Sequence, residues 1–156
     1  MLIVNTKYGK LKIDDGNEYN FYEDNKFKEG TLSEPVILDT GYGKFEFFYD
    51  IRFYKNGQIF YGSFKGREKI KTSIGEIECG SLRFYKSGKI ESLNFIKDTI
   101  IKTNIGDIKI YNNISFYENG NIMDSILWED IKINNKKYKE NEPVFFFENE
   151  NLKIME

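Results

Sequence analysis

The side chains with the most obvious catalytic potential in this sequence are carboxylates. Asp14, Asp15, Asp50, Glu76 and Glu78 stand in short strand-like or turn-like stretches. Two such acids could hydrolyse a glycosidic bond if folding placed them about 5 to 10 Å apart across a cleft. Because all five fall in predicted turns or on the polar sides of strands, we interpret them as solvated charges. We therefore expect no catalytic residue and no enzymatic activity.

Histidine is absent and Cys79 is the single cysteine. This composition excludes Ser-His-Asp and Cys-His catalysis, the usual zinc coordination and an intramolecular disulfide. We expect Cys79 to be a small buried hydrophobe. The stretch Asp14 to Asn17 lacks the ligand spacing and closing glutamate of a calcium loop, so it predicts a turn. No glycine-rich phosphate loop is present, and we expect neither a metal nor a cofactor.

Aromatic and arginine side chains are the positive candidates for function. Tyrosines recur on the predicted outer face of successive strands, two of them beside arginines, and such surfaces suit protein interfaces or stacking on sugars. Trp128 lies at the junction between two repeated segments of the sequence, where it could seal the gap between them or anchor a partner. An alternative for the tyrosines is cross-strand packing that stabilises each sheet. The predicted partner-binding residues are Tyr22, Arg52, Tyr54, Arg83, Tyr85, Tyr117 and Trp128.

These residues recur because the sequence repeats. An aromatic pair is followed by a short polar stretch, and the second aromatic falls at steps of 32, 31, 32 and 30 residues, at Tyr22, Tyr54, Tyr85, Tyr117 and Phe147. Three copies continue into Asn56-Gly57, Ser87-Gly88 and Asn119-Gly120, the strongest short-range signal for a β-hairpin. The first copy has Asp24-Asn25 and the last has Asn149-Glu150, both without glycine.

A second motif, Thr-x-apolar-Gly, alternates with the first. It begins at Thr6, Thr40, Thr72 and Thr103, with a fifth copy at 133–138 that lacks the glycine. Together the motifs predict an all-β fold of tandem β-hairpin repeats, built as an elongated twisted sheet or a β-solenoid. We expect one repeat domain over 1–156, with the first and last of its five repeats as caps. The repeats are about 1–32, 33–64, 65–95, 96–127 and 128–156.

The two-residue alternation of strands also predicts which face forms the core. Helix signals are nearly absent, and the least unfavourable place for a short helix is 127–131. The predicted core face carries Tyr19, Phe21, Ile51, Phe53, Leu82, Phe84, Ile114, Phe116, Val144 and Phe146. The opposite face carries Asn20, Arg52, Arg83, Ser115 and Phe145 beside the tyrosines.

Charge and hydropathy restrict the partners. The net charge is -2, from 23 basic and 25 acidic residues interspersed along the chain, which disfavours nucleic-acid binding. No apolar run reaches the length of a membrane helix or of a signal peptide, so we expect a cytoplasmic protein without membrane contact. Edge strands at either end could pair between chains and form a homodimer.

The hairpins 53–59 and 116–122, Phe-Tyr-Lys-Asn-Gly-Gln-Ile and Phe-Tyr-Glu-Asn-Gly-Asn-Ile, resemble those of bacterial MORN-like repeat proteins. The resemblance covers essentially the whole chain, although the repeat of true MORN units is shorter and has a glycine-tryptophan pattern missing here. From the relatives described as antitoxins, it implies a protein-binding role. The abundance of Ile, Lys, Asn, Tyr, Phe and Glu indicates a low-GC bacterial or phage source. The predicted function is that of an antitoxin, immunity protein or phage-encoded inhibitor. The alternative is a carbohydrate-binding or envelope-associated repeat protein.

Overall fold

A computed structural model of the protein describes residues 1–95, 97–133, 135–150 and 153–155. The described residues are all-β, and they contain no helix. Their strand pairings are antiparallel, and no sheet closes on itself within the described residues. The sequence prediction of an all-β protein is thus confirmed. None of the described segments forms a helix that could span a bilayer.

The chain divides into two compact units. The first comprises Met1–Glu68 and Gly80–Lys89, and the second comprises Lys69–Cys79 and Ile90–Glu156. The prediction of one domain over 1–156 stays a prediction. In chain order the strands of the described residues are β1 (Leu2–Thr6), β2 (Gly9–Ile13), β3 (Asn20–Phe21), β4 (Phe27–Thr31), β5 (Val36–Asp39), β6 (Lys44–Phe53), β7 (Ile59–Thr72), β8 (Gly75–Phe84), β9 (Ile90–Phe95), β10 (Thr99–Thr103), β11 (Gly106–Phe116), β12 (Ile122–Leu127), β13 (Ile131–Ile133), β14 (Lys136–Tyr138) and β15 (Pro143–Phe145).

In the first compact unit, β6 is the central strand. It pairs with β4, with β5 and with the first part of β7, while β3 pairs with β4. The hairpin of β1 and β2 forms a separate two-stranded sheet, joined to Leu32 by a bridge from Ile13. This arrangement places residues from distant parts of the sequence side by side.

In the second compact unit, β11 has the corresponding position. It pairs with β9, β10 and β12, and β12 pairs in turn with β15. The short hairpin of β13 and β14 forms its own sheet. The stretch 127–131, the least unfavourable place for a helix in the sequence, forms none: Leu127 ends one strand and Ile131 begins another.

The Thr-x-apolar-Gly motif forms a turn for a specific chemical reason. In the copy at Thr103, the threonine hydroxyl accepts the Ile105 N–H at 3.2 Å and donates to the Gly106 carbonyl at 2.6 Å. Gly106 has a φ of 114°, a backbone conformation that favours glycine. The copies at 6, 40 and 72 make the same two bonds. In the fifth copy Asn135 takes the positive φ, at 67°.

The aromatic motif turns in a similar way. In the copy at Asn119, the side-chain oxygen accepts the Asn121 N–H at 2.9 Å, and Gly120 has a φ of 87°. Two backbone hydrogen bonds close the turn: the Tyr117 N–H donates to the Asn121 carbonyl, and the Gly120 N–H donates to the Tyr117 carbonyl. The first copy turns without glycine because Asn25 adopts a φ of 60°, which asparagine tolerates better than most residues.

Two long strands contain bulges. The register shifts between Phe47 and Ile51 in β6 and between Tyr111 and Ile114 in β11. Tyr49 and Asn112 lie in these stretches and have φ values of 64° and 69°, both in the left-handed region. Bulges of this kind bend a strand and increase its twist.

The predicted core face is confirmed in four of the five repeats. The side chains at 51, 53, 82, 84, 114, 116, 144 and 146 are all at most 3% exposed. The prediction is wrong for the first repeat, where Tyr19 is 40% and Phe21 is 43% exposed. The physical reason is that β3, which contains Phe21 and directly follows Tyr19, is an edge strand, so both rings have neighbours on only one side. Cys79 is buried as predicted.

Candidate functional site

Three of the predicted tyrosines, all half-buried, form a hydrogen bond to the next repeat of the sequence. Tyr22 donates its hydroxyl hydrogen to the carbonyl of Phe53 at 2.8 Å, and Tyr54 donates to the carbonyl of Phe84 at 2.9 Å. In the second compact unit, Tyr117 donates to the carbonyl of Phe146 at 2.9 Å. Each bond therefore links a tyrosine to the phenylalanine of the next copy of its motif, about 30 residues later.

The turn asparagines repeat the pattern. Asn56 donates its side-chain amide to the carbonyl of Lys86 at 3.3 Å, and Asn119 donates to the carbonyl of Glu148 at 3.0 Å. Tyr85 is half-buried like the other tyrosines. These contacts give Tyr22, Tyr54 and Tyr117 a structural role, and the predicted role of the four tyrosines in partner binding stays a prediction.

A connected row of side chains crosses the outer face of the first compact unit. Asn20 donates to Glu29 at 3.1 Å, and the Glu29 carboxylate lies 3.5 Å from the Nε of Arg52. The guanidinium of Arg52 lies 5.6 Å from the ring centre of Tyr61, within the range of a cation–π contact. The strand register produces this row, because Arg52 is opposite Glu29 on one side and Tyr61 on the other.

The second predicted arginine has a similar setting in the same unit. The guanidinium of Arg83 lies 5.6 Å from the ring centre of Phe60, and the Phe60 ring lies 5.1 Å from that of Tyr54. Both arginines are exposed. Aromatic contacts restrict their side chains, so less conformational entropy is lost if a partner binds them.

A groove of about 500 Å³ opens beside Arg52 on this outer face. We call it the outer groove, and its lining includes three carboxylates and one guanidinium. None of the described residues that line it is aromatic. They are Asn17, Glu18, Asn20, Glu29, Gly30, Thr31, Asp50 and Arg52.

The predicted turn at Asp14 is confirmed. The Asp14 carboxylate accepts the Gly16 N–H at 3.0 Å and the Asn17 side-chain amide at 2.8 Å. Asp15 pairs with the amino group of Met1, and that contact lowers the pKa of the Asp15 carboxyl. Within the described part of the chain, no group of acidic or cysteine side chains could hold a metal ion.

The other candidate carboxylates lie in two different places. Asp50 lies in the outer groove and accepts the Thr31 hydroxyl at 3.2 Å. Glu76 and Glu78 line a cleft of about 290 Å³ in the second compact unit, together with Asp98 and two lysines. The Lys109 ammonium, 2.7 Å from Asp98, lowers the pKa of that carboxyl and keeps it ionised. The cleft therefore mixes acidic and basic groups.

Trp128 is 46% exposed in the second compact unit. Its ring meets the Tyr111 ring edge to face, with the ring centres 5.2 Å apart, and the Lys109 ammonium lies 5.2 Å from the indole. One side of the indole is therefore held in place while a large part of it meets solvent. This geometry is compatible with either of its predicted roles.

Sequence reasoning missed several contacts. Glu29, Phe60 and Tyr61 accompany the predicted arginines, and Asp124 accepts the Ser115 hydroxyl at 3.2 Å. Burial raises the pKa of the Asp124 carboxyl, and the Ser115 hydrogen bond opposes that rise. The sequence did contain a signal for these contacts. Residues at outward positions on the strand after each turn lie opposite the outward residues of an aromatic strand.

Comparisons of the chain with protein-family models, with curated proteins and with solved structures found no match.

Proposed function

We propose that this chain is a non-enzymatic, cytoplasmic repeat protein that binds another protein, as an antitoxin, an immunity protein or a phage-encoded inhibitor does. The observation that carries the proposal is the pair of exposed arginines, Arg52 and Arg83, each held against an aromatic ring. Arginine and tyrosine are enriched among the residues that dominate binding energy at protein interfaces.

The repeat architecture belongs to the same proposal. We infer that the five sequence repeats fold as tandem hairpins stabilised by contacts between neighbours. Support comes from the hydroxyl-to-carbonyl bonds of Tyr22 and Tyr54 in the first compact unit and of Tyr117 in the second. A regular scaffold of this kind holds surface side chains at fixed spacing without needing a catalytic centre.

A pull-down from the source organism tests this function. Tagged wild-type protein should retain one partner, identified by mass spectrometry and then confirmed with the purified pair. The double variant Arg52→Ala/Arg83→Ala should lose that partner. Lys102→Ala is the matched control, because it removes an exposed positive charge from the second compact unit. Retention of the partner by the double variant, or no partner for the wild type, would contradict the proposal.

A carbohydrate-binding role is the second candidate. The outer groove favours it, because amides, carboxylates and a guanidinium are the groups that hydrogen-bond to sugar hydroxyls. The described lining offers no aromatic ring on which a sugar could stack. A glycan array distinguishes carbohydrate binding from protein binding. A glycan that binds the wild-type protein but not Asp50→Asn would favour the carbohydrate-binding role.

A further inference from the structure

The edge strand β3 in the first compact unit has one unpaired side. Asn20 and Phe21 pair with β4, and no other described strand pairs with them. An unpaired edge presents N–H and C=O groups that can bond to another extended chain. Because β3 is short, its neighbouring side chains must supply much of any selectivity.

One face beside this edge is apolar. Tyr19 and Phe21 meet edge to face, with their ring centres 6.2 Å apart, and Phe21 packs in the same way on Phe27 at 5.7 Å. The equivalent side chains of the other repeats are buried, whereas these two are about two-fifths exposed. Their packing fixes the rings, so a ligand that covers them pays little entropy for ordering them.

The other face beside the edge is the acidic outer groove. Asn20 projects to this face, where it bonds to Glu29. Glu18 and Asp50 also line the groove, and neither forms an ion pair with the described residues. Arg52 is the single basic side chain among the described residues of the lining, and Glu29 pairs with it and with Lys28, whose ammonium lies 3.6 Å away, so Glu18 and Asp50 are the carboxylates left without a cation. The groove is therefore complementary to positive charge.

We propose that the edge of β3 binds an extended protein segment in which basic side chains alternate with apolar ones. Successive side chains of a strand point to opposite faces, so a strand added beside β3 places every second side chain over Tyr19 and Phe21. The side chains between them lie on the face of Glu18 and Glu29, while Asp50, on β6, adds to the negative charge of the groove from two strands further in. This inference rests on the proposed protein-binding function and names the surface and the chemistry of the partner.

The test uses two fluorescein-labelled peptides of equal composition and charge, KVKVKVKV and KKKKVVVV, measured by fluorescence polarisation on the full chain. The alternating peptide should bind about tenfold more tightly, because only it separates charge from apolar surface on a strand. Raising the salt concentration from about 50 to 500 mM should weaken its binding.

Two variants locate the site, and each has a matched control. Phe21→Thr removes an exposed ring, and Glu18→Gln removes one exposed charge of the groove beside the edge strand. Each should weaken the alternating peptide about fivefold. The controls are Phe145→Thr and Glu129→Gln, which change an exposed phenylalanine and an exposed glutamate in the second compact unit. They should change binding by less than about twofold.

Three results would overturn the inference. Equal affinity for both peptides would mean simple charge attraction, and no binding at millimolar peptide would mean that the edge is inert. Concentration-dependent dimerisation of the protein, lost in Phe21→Thr and unaffected by peptide, would assign the edge to a second copy. The proposed function and this inference can fail separately. If neither peptide binds, but the partner found in the pull-down is lost by Arg52→Ala/Arg83→Ala, the proposed function stands and only this inference falls.

Discussion

Replacing Tyr117 by phenylalanine removes one hydroxyl and leaves the ring. That hydroxyl donates to the carbonyl of Phe146 at 2.9 Å in a partly buried place. A typical hydrogen bond contributes about 0.5–1.5 kcal/mol, and an acceptor left unpaired in a buried place costs about 1–3 kcal/mol. Because this site is only partly buried, we expect Tyr117→Phe to lower the free energy of unfolding by about 1–2 kcal/mol.

Urea titration followed by tryptophan fluorescence measures this change. Trp128 is the single tryptophan, and it lies in the same compact unit as Tyr117 and Phe146. Its emission therefore reports the unit in which the bond is lost. In a thermal scan, the same loss corresponds to a melting temperature about 2–8 °C lower for a chain of this size.

Tyr138→Phe is the matched comparison in the same unit. The Tyr138 hydroxyl is buried and has no hydrogen-bond partner among the described residues. Its removal should stabilise the protein by up to about 1 kcal/mol, because no unpaired polar atom stays buried. The two Tyr→Phe variants should thus differ in sign. An unchanged unfolding midpoint for Tyr117→Phe, or an equal loss in both variants, would refute the assignment of the hydroxyl to a bond between repeats.

Burial raises the pKa of the Asp124 carboxyl, so its charged form destabilises the folded protein at any pH above the ordinary pKa of an aspartate. Asp124→Asn should therefore raise the melting temperature at pH 7, and this gain should shrink towards pH 4. A pH-independent gain would contradict this cause. Asn112→Gly should stabilise by up to about 1 kcal/mol and Asn112→Ala should destabilise by about as much, because Asn112 has a φ of 69°; urea midpoints that move in the same direction would exclude backbone strain. Gln58→Met should leave the urea midpoint unchanged or raise it, since Gln58 is 7% exposed with its side-chain nitrogen unpaired among the described residues. A clear loss would show that the contact of Gln58 with Lys7, at 2.5 Å, stabilises the fold.

Local sequence was sufficient for the secondary structure. Alternation of apolar and polar residues predicted strands, and the turn motifs predicted where those strands reverse, since a threonine hydroxyl or an asparagine amide satisfies the turn within three residues. The burial of Phe53, Phe84 and Phe116 followed from the same alternation. These features depend on neighbours in the chain, which a sequence displays directly.

The candidate site was predicted only in part. The sequence selected Arg52 and Arg83, but it could not pair Arg52 with Glu29 and Tyr61, because strand register brings those residues together. It placed Tyr54 on an outer face without revealing that its hydroxyl reaches a carbonyl 30 residues later.

The exposure of Tyr19 and Phe21 also required the tertiary structure. Their repeat has the same alternation as the others, yet β3 lies at a sheet edge and leaves both rings partly uncovered. The sequence by itself therefore determined the strands, the turns and the usual core face, all of which follow from backbone preference and side-chain alternation. Only the tertiary structure decided which charges meet, which hydroxyls are bonded and which apolar rings face solvent, because these depend on contacts between residues far apart in the chain.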